Sequence, residues 1–224
     1  MTLKELLEIR PGVTAVIGSG GKTTLLRTLG AELAAGGHTV ILCTTTKIFP
    51  FTGIVNLISP GESELREVLD THRLVCVGAL LPETGKLSAP EISMVHLARM
   101  AEYVLVEADG SARKPLKAHG EWEPVIPPES NQTVCVLGMS GLGRSVSEAA
   151  HRPERFAALA GITEETAVTP EAAARVLNAE GLADRYLLNQ AEGKRTLAET
   201  LAALLNRPAA PVSLEKGAYE PCLL

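Results

Sequence analysis

The chain has 224 residues, of which 46% are hydrophobic, 21% are charged and 3% are aromatic. This length and composition are typical of a folded α/β protein that needs neither disulfides nor a structural metal to bury its core, and they exclude intrinsic disorder. The formal net charge of -5 argues against a nucleic-acid partner, which would need clustered lysine and arginine. Because no apolar stretch is long enough to span a bilayer, we expect no membrane partner and a cytoplasmic protein.

The four cysteines are far apart in the sequence, at Cys43, Cys76, Cys135 and Cys222. Three of them interrupt apolar runs, where cysteine behaves as a small buried hydrophobic residue, so we expect reduced thiols in the core. The five histidines show none of the spacings typical of zinc ligands, which argues against a dedicated transition-metal site.

Short apolar runs alternate with helical patterns along the chain. The predicted strands span residues 13–18, 38–46, 73–80, 102–110, 132–139 and 185–191. The predicted helices are TTLLRTLGAELAAGG, ESELREVLDTH, PEISMVHLARM, PERFAALAG, PEAAARVLNAEG and GKRTLAETLAALL. Several of these helices start with proline and then glutamate, which is typical of a first helical turn.

The alternation of strands and helices predicts the fold class. Strands that are apolar on both faces are typical of a parallel sheet between two layers of helices. We therefore predict an α/β protein with a three-layer α/β/α arrangement and a mostly parallel, doubly wound sheet. We place no domain boundary and treat residues 1–224 as a single domain, with one last edge strand at PVSLE.

The segment GSGGKTT, which we call the glycine loop (residues 18–24), lies between the first predicted strand and the first predicted helix. Its glycines allow successive N–H groups to point at phosphate oxygens, and the positive end of the helix adds to the same site. Lys22 would reach the β and γ phosphates, Thr23 would bind Mg²⁺, and Thr24 would bind a neighbouring phosphate oxygen. The predicted nucleotide-binding residues of the loop are Gly18, Ser19, Gly20, Gly21, Lys22, Thr23 and Thr24.

Two features qualify this interpretation of the glycine loop. The full Walker pattern has another glycine where this chain has Val16, so the turn is tighter than in common P-loops. The alternative is a glycine-rich bend between a strand and a helix, with a solvated lysine.

Two carboxylates close the fourth predicted strand, in the sequence YVLVEADGS. Alternate residues of a strand share a face, so an extended chain would point Glu107 and Asp109 the same way. We predict Glu107 as a ligand of Mg²⁺, and Asp109 as the group that positions a reacting water or hydroxyl. The alternative for each is a cap of the turn at Gly110 and Ser111.

Further polar residues follow other predicted strands. Lys47 ends the sequence TTTK and is placed to contact phosphate, metal or substrate, because strand ends face the ligand crevice in α/β sheets. The alternative is an ordinary solvated lysine at a strand end. Arg144 lies between glycines in GLGRS, which is either a mobile lid that brings Arg144 to the γ-phosphate or a flexible loop. Asn189 and Glu192 would face the nucleobase, whose identity, in ATP or GTP, stays open.

The segment SARKPLKAHG follows the acidic strand end and is too charged for a core. Arg113, Lys114 and Lys117 would bind a second anionic ligand there, such as a phosphorylated substrate or a pterin cofactor. The alternative is a solvated loop with ordinary lysines.

These motifs, together with EPVIP and HRPE, resemble the YqeC family, whose members are described as accessory proteins of selenium-dependent hydroxylases. The resemblance extends to about residue 192. It implies a P-loop NTPase-like protein that takes part in the maturation of molybdenum hydroxylases carrying labile selenium. On this chain, the resemblance implies that the glycine loop is the family's nucleotide loop and that Glu107 and Asp109 are its acidic strand end. The basic positions of the family would be Lys114, Lys117 and Arg152. The family pattern has proline after KPLKA and histidine before EPVIP, where this chain has His119 and Trp122.

The residues and the resemblance together predict a Mg²⁺-dependent ATP- or GTP-binding protein that hydrolyses or transfers the γ-phosphate. Two alternatives stay open, namely a nucleotide-bound chaperone or cofactor-delivery module without turnover, and a small-molecule kinase. The predicted partners are the nucleotide and a molybdenum hydroxylase or its pterin cofactor.

Overall fold

The computed structural model describes residues 1–219, in which a large sheet is covered by helices on both faces. The strands are β1 (Gly12–Gly18), β2 (Val40–Thr44), β3 (Val55–Ile58), β4 (Leu74–Leu81), β5 (Lys86–Ser88), β6 (Tyr103–Glu107), β7 (Leu116–Lys117), β8 (Ser130–Gly138), β9 (Ala150–His151), β10 (Arg185–Asn189), β11 (Ala209–Ser213) and β12 (Ala218–Tyr219). The helices are α1 (Leu3–Leu6), α2 (Lys22–Ala35), α3 (Glu62–Thr71), α4 (Met94–Met100), α5 (Val146–Ala149), α6 (Pro153–Ala160), α7 (Pro170–Glu180) and α8 (Arg195–Leu204), with a 3₁₀ helix at Met139–Gly141.

The order of the strands confirms the predicted mostly parallel sheet. Within residues 1–219 the order is β12-β11-β10-β8-β1-β6-β2-β4-β3, with β5 paired to β4. All neighbours are parallel except β11 with β12 and β4 with β5. Strand β1 lies between β6 and β8, so the loop after β1 lies at the point where the strand order reverses. Ligands of open α/β sheets bind at such a point.

Alternate side chains of β1 enter cores on opposite faces of the sheet, which explains the three layers. Val16 packs in one core with Leu25 and Leu29 of α2. Ile17 packs in another with Phe156 of α6 and with residues of α7 and α8. A third core combines Val13 of β1 with α3 and α4. A strand buried on both faces reads as a nearly continuous apolar run, as this one does apart from the buried Thr14.

The register of the parallel strands brings their carboxyl ends to one edge. Glu107 at the end of β6 pairs with Val16 of β1 and with Thr44 at the end of β2. On the other side of β1, Asn189 at the end of β10 pairs with Gly138 at the end of β8. The chain therefore leaves each of these strands next to the glycine loop.

The bounds of several predicted elements were wrong, and in particular β6 ends at Glu107 and not at residue 110. Helix α4 begins at Met94, where the Ser93 side chain accepts a hydrogen bond from the N–H of His96, and not at the upstream Pro-Glu pair. The Pro-Glu start is correct for α6 and α7. The segment PVSLE is not the edge, because β11 pairs with β10 on one side and with β12 on the other.

Cys43, Cys76 and Cys135 are buried free thiols, as predicted, and Cys222 lies outside the described residues. Helix α2 has 14 residues, whereas a membrane-spanning helix needs about 20 apolar residues. Within residues 1–219, no helix combines the length and the hydropathy needed to span a membrane.

Candidate functional site

The glycine loop makes a turn that only glycine accommodates. Gly18, Gly20 and Gly21 have φ angles of +89°, +83° and +139°, which side chains of L-residues rarely adopt. A Cβ atom on Gly20 would lie 2.5 Å from both the Cα and the N atoms of Gly138, at the end of β8. The loop therefore packs backbone against backbone, and its glycines are required by space as well as by φ.

The N–H groups of the loop divide into an anchored part and an open part. The N–H of Gly18 donates to Asp109 Oδ2 at 2.8 Å, and that of Ser19 donates to the Val136 carbonyl at 2.7 Å. The first bond of α2 runs from the Leu25 N–H to the Gly21 carbonyl, and Gly21 at the N-cap offers no side-chain cap. The N–H groups of residues 22–24 therefore have no partner inside the helix, which is the arrangement that binds anions.

A cleft of about 900 Å³ opens over the loop and is lined by Gly20, Gly21, Lys22, Thr23 and Thr24. Gly18 and Ser19 do not line it, and the buried Ser19 hydroxyl donates instead to the Lys114 carbonyl. The charged residues of the wall are Lys22, Lys47, Lys86, Glu107, Arg113, Lys114 and Glu215. Five cations against two carboxylates, in a chain of net charge -5, indicate a site for a polyanion.

Lys22 is buried and turned onto the loop and the adjoining carboxylate. Its Nζ lies 3.0 Å from Asp109 Oδ1 and donates to the Gly18 carbonyl at 2.7 Å. Since Asp109 also accepts the N–H of Gly18, it holds the loop and the lysine together. Strand β6 ends at Glu107, so Asp109 is not placed by strand alternation but by these contacts.

Asp109 belongs to a set of interacting ionisable side chains that we call the buried charge network. Asp109 Oδ2 lies 3.2 Å from Lys117 Nζ and 2.8 Å from His119 Nε2. The other ring nitrogen of His119 lies 2.7 Å from Glu180, the last residue of α7. The network consists of Lys22, Asp109, Lys117, His119, Glu123, Arg152 and Glu180.

The environment of Asp109 makes it a poor proton acceptor. Burial alone would raise the pKa of its carboxyl, but the hydrogen bond from His119 and the charges of Lys22 and Lys117 lower it to about 2. Asp109 is fully buried and does not line the cleft. The structure thus places Asp109 as an anchor of the loop, and not at a reacting water as the sequence suggested.

His119 is expected to make the stability of the protein depend on pH. Burial lowers the pKa of its imidazole, but the hydrogen bonds and charges of Asp109 and Glu180 outweigh burial and raise it above 6.5. Between 6.5 and this raised value, the folded state binds a proton that the unfolded state has released, so stability falls as pH rises. Below 6.5 the stabilisation by His119 is fully present.

The test is urea unfolding of the wild-type protein and of His119→Gln at pH values from about 6 to 9. We expect the difference in unfolding free energy between the two to shrink as pH rises. His72→Gln, at an exposed histidine, serves as the control and should leave the pH dependence unchanged. A difference that stays constant across this range would contradict the assignment of a charged His119.

Glu107 occupies a different position from Asp109, inside the cleft. The hydroxyl of Thr23 donates to Glu107 Oε2 at 2.9 Å, so both side chains offer oxygen atoms at the start of α2. Burial raises the pKa of the Glu107 carboxyl, because the charge of Lys22 and the hydrogen bond from Thr23 offset only part of the effect of burial. A hydroxyl and an under-compensated carboxylate fit Mg²⁺, which binds few protein oxygens and keeps water or phosphate oxygens as its other ligands.

The structure brings only part of the predicted basic set to the cleft. Lys47 is exposed and lines the cleft. Lys114 also lines it, while its Nζ donates to the carbonyls of Ser147 and Glu148 at 3.3 and 2.7 Å.

Two other basic residues belong to the buried charge network and do not line the cleft. Lys117 is 4% exposed and binds Glu123 and the Gly110 carbonyl, and Arg152 lies 2.7 Å from Glu123. The expectation that the whole segment 111–120 is too charged for a core was therefore wrong for Leu116–His119, which are buried.

Arg144 and Asn189 also differ from their predicted positions. Arg144 is exposed outside the cleft lining, 3.7 Å from Glu148, and its carbonyl accepts the N–H of Val168. The Asn189 side chain donates to the Gly20 carbonyl at 2.8 Å and accepts the N–H of Leu214 at 3.1 Å. Asn189 thus supports the loop in place of the base contact expected from the sequence.

Sequence reasoning missed several residues of the site. Glu180 completes the contacts of His119 from a helix 61 residues away, so no local motif indicates it. Glu123 contacts two cations of the network, and the Glu-Trp-Glu context alone does not distinguish it from a solvated acid. Trp122 is 86% exposed.

Comparison with known proteins agrees with the resemblance seen in the motifs. The family described as YqeC protein matches residues 14–154, which is more than half of the chain and includes the glycine loop, Glu107 and the buried Asp109. The Escherichia coli (strain K12) protein named "Uncharacterized protein YqeC" is 35% identical over 162 residues, which cover 70% of this chain and 63% of that protein. This chain therefore spans less than two thirds of the relative's length, and it belongs to the YqeC family.

Proposed function

We propose that this protein binds a nucleoside triphosphate, ATP or GTP, with Mg²⁺ in the cleft over the glycine loop, and that it hydrolyses or transfers the γ-phosphate. The observation that carries the proposal is the set of unpartnered N–H groups at the start of α2, beside the buried Lys22. Backbone N–H groups and one ammonium group together bind phosphate oxygens without a rearrangement of the backbone.

Each residue at the start of α2 has a part in this proposal. Lys22 moves from Asp109 to the β and γ phosphates, while Lys117 and His119 continue to neutralise Asp109. Thr23 and Glu107 would hold Mg²⁺, which when bound would neutralise negative charge on the phosphate oxygens. The Thr24 side chain lines the cleft next to them.

We extend the proposal to an accessory role in the maturation of selenium-dependent molybdenum hydroxylases. The support for this client is the family resemblance, in particular the ordered set of motifs from the glycine loop to HRPE.

A second candidate is a nucleotide-bound chaperone or cofactor-delivery module without turnover. The burial and low pKa of Asp109 favour it, because they remove the carboxylate that would position an attacking water. Among described residues of the cleft wall, the carboxylates that remain are Glu107 and Glu215, and Glu107 binds Thr23.

The test measures the melting temperature with ATP and with GTP, each with and without Mg²⁺. A ligand at 100 times its dissociation constant adds about 2.7 kcal/mol to stability, which is a readily measured shift. Lys22→Ala should remove the shift, whereas Arg27→Ala, at an exposed residue of the same helix, should keep it. Glu107→Gln should remove the part of the shift in melting temperature that depends on Mg²⁺. An unchanged wild-type melting temperature with both nucleotides would overturn the proposal.

Single-turnover kinetics separates the two candidates. Release of phosphate, alone or with a molybdenum hydroxylase added, supports the NTPase, and a phosphorylated small molecule seen by phosphorus NMR supports the transferase. Tight binding with no product under any of these conditions supports the delivery module.

A further inference from the structure

The cleft over the glycine loop is large, and five cations line it. Its volume of about 900 Å³ is near the upper end of the range of about 300–1,000 Å³ for small-molecule pockets. It extends to both sides of β1, because the loops after β6 and β2 and the start of β5 supply one wall, and the loops after β10 and β11 supply the other. The two walls differ in charge.

The cations lie on one side of the loop. The wall after β10 and β11 contributes Gln190 and Glu215, and neither is basic. The other wall contributes Arg113 from the loop after β6, Lys47 from the loop after β2, and Lys86 from the start of β5. Within residues 1–219, none of these three cations forms an ion pair, unlike Lys22.

The basic wall also carries an aromatic ring. Phe49 is 51% exposed and lines the cleft, with Lys86 Nζ 4.9 Å from its ring centroid. The segment that bears Lys47 and Phe49 is held to β5 by two hydrogen bonds between Ile48 and Leu87, at 2.9 and 2.7 Å. The ring and the two lysines therefore come from one paired backbone unit.

Arg113 reaches the same wall through an unusual backbone. Ala112 and Arg113 have φ angles of +47° and +60°, two consecutive left-handed residues of which neither is glycine. Such a conformation costs free energy and is found where a side chain must be held in a functional position.

We propose that Lys47, Phe49, Lys86 and Arg113 form a subsite for a second ligand, a phosphorylated molecule with a flat ring. The cations bind the phosphate, and Phe49 stacks on the ring. The inference rests on the proposed function in that the nucleotide occupies the glycine loop beside it. The second anionic ligand would therefore bind at this subsite and not at Lys117 and Arg152. Those two residues belong to the buried charge network and do not line the cleft.

Flavin mononucleotide is the probe, because it joins a flat ring to a phosphate monoester and its fluorescence polarisation reports binding. The measurement uses the full chain saturated with Mg²⁺ and ADP, so that the glycine loop is occupied. We expect saturable binding, and binding of riboflavin, which lacks the phosphate, that is weaker by about tenfold or more. Phenyl phosphate, a smaller ligand of the same class, should displace the probe.

Matched variants assign the binding to the subsite. The double change Lys86→Gln and Arg113→Gln should weaken probe binding by about tenfold or more, and raised salt should weaken wild-type binding. Phe49→Leu should weaken the binding of flavin mononucleotide by a larger factor than the binding of inorganic phosphate. Arg66→Gln, at an exposed residue of α3 outside the cleft lining, should change nothing.

The outcomes distinguish this subsite from the nucleotide site. Probe binding by Lys22→Ala, which should not bind nucleotide, supports the subsite even if the nucleotide proposal fails. The proposal is overturned if neither flavin mononucleotide nor phenyl phosphate binds, or if the double variant binds the probe as tightly as the wild type. It is also overturned if the double variant loses affinity for the nucleotide by the same factor as for the probe, because the cations would then belong to the nucleotide site.

Discussion

Replacement of Asp109 by asparagine is expected to lower the free energy of unfolding by about 3–5 kcal/mol at neutral pH, the usual cost of removing one partner of a buried ion pair. Asp109 is fully buried and contacts Lys22, Lys117 and His119. Asparagine keeps the size of the side chain but removes the charge that compensates these cations. His119 can release its proton in the variant, so the loss comes mainly from the two lysines.

The measurement is the urea midpoint and the melting temperature, which changes by about 2–4 °C per kcal/mol for a chain of this size. Asp70→Asn is the control, because Asp70 is exposed and such substitutions change stability by less than about 0.5 kcal/mol.

The lowered pKa of Asp109 also makes stability depend on pH in acid. The stabilisation by Asp109 is lost as pH falls from 3.8 towards about 2. Asp109→Asn should lack this part of the acid transition. A variant as stable as the wild type would show that Asp109 does not neutralise the network.

Replacement of Gly20 by alanine is expected to abolish nucleotide binding and to destabilise the fold. The added Cβ would lie 2.5 Å from backbone atoms of Gly138 and 3.0 Å from the Pro115 carbonyl, so the loop must move away from β8. The φ of +83° adds a cost of about 1–2 kcal/mol for a non-glycine residue, and the overpacking adds about 1–3 kcal/mol. A displaced loop no longer aims its N–H groups at one point.

Gly110→Ala is the matched control in the same cleft, because a Cβ there meets nothing within 4 Å and its φ is not in the left-handed region. We expect the nucleotide-induced rise in melting temperature in the wild type and in Gly110→Ala, and none in Gly20→Ala. If Gly20→Ala keeps both its stability and its nucleotide shift, the tight packing of the loop against β8 is not what shapes the site.

Local sequence patterns were sufficient for the parts of the fold that depend on neighbouring residues. The apolar run from 13 to 18 predicts β1 because a strand buried on both faces must be apolar throughout, and the glycines at 18, 20 and 21 predict a turn into α2. Strands β3, β5, β7, β9 and β12 were not predicted, because two to four residues are too few to show a period of two. Helices α1 and α5, of four residues each, were also missed, because about one turn is too short to show a period of 3.6 residues.

The sequence by itself determined that a lysine-bearing glycine loop follows a buried strand, and that two carboxylates lie at and just beyond the end of another strand. Which of these groups face the cleft was decided only by the tertiary structure. Glu107 lines the cleft and Asp109 does not, although they are two residues apart, because Asp109 meets His119 and Lys117 from a segment that folds back. Partners distant in sequence, such as Glu180, offset the free-energy cost of burying a charge, and no local sequence pattern indicates such partners.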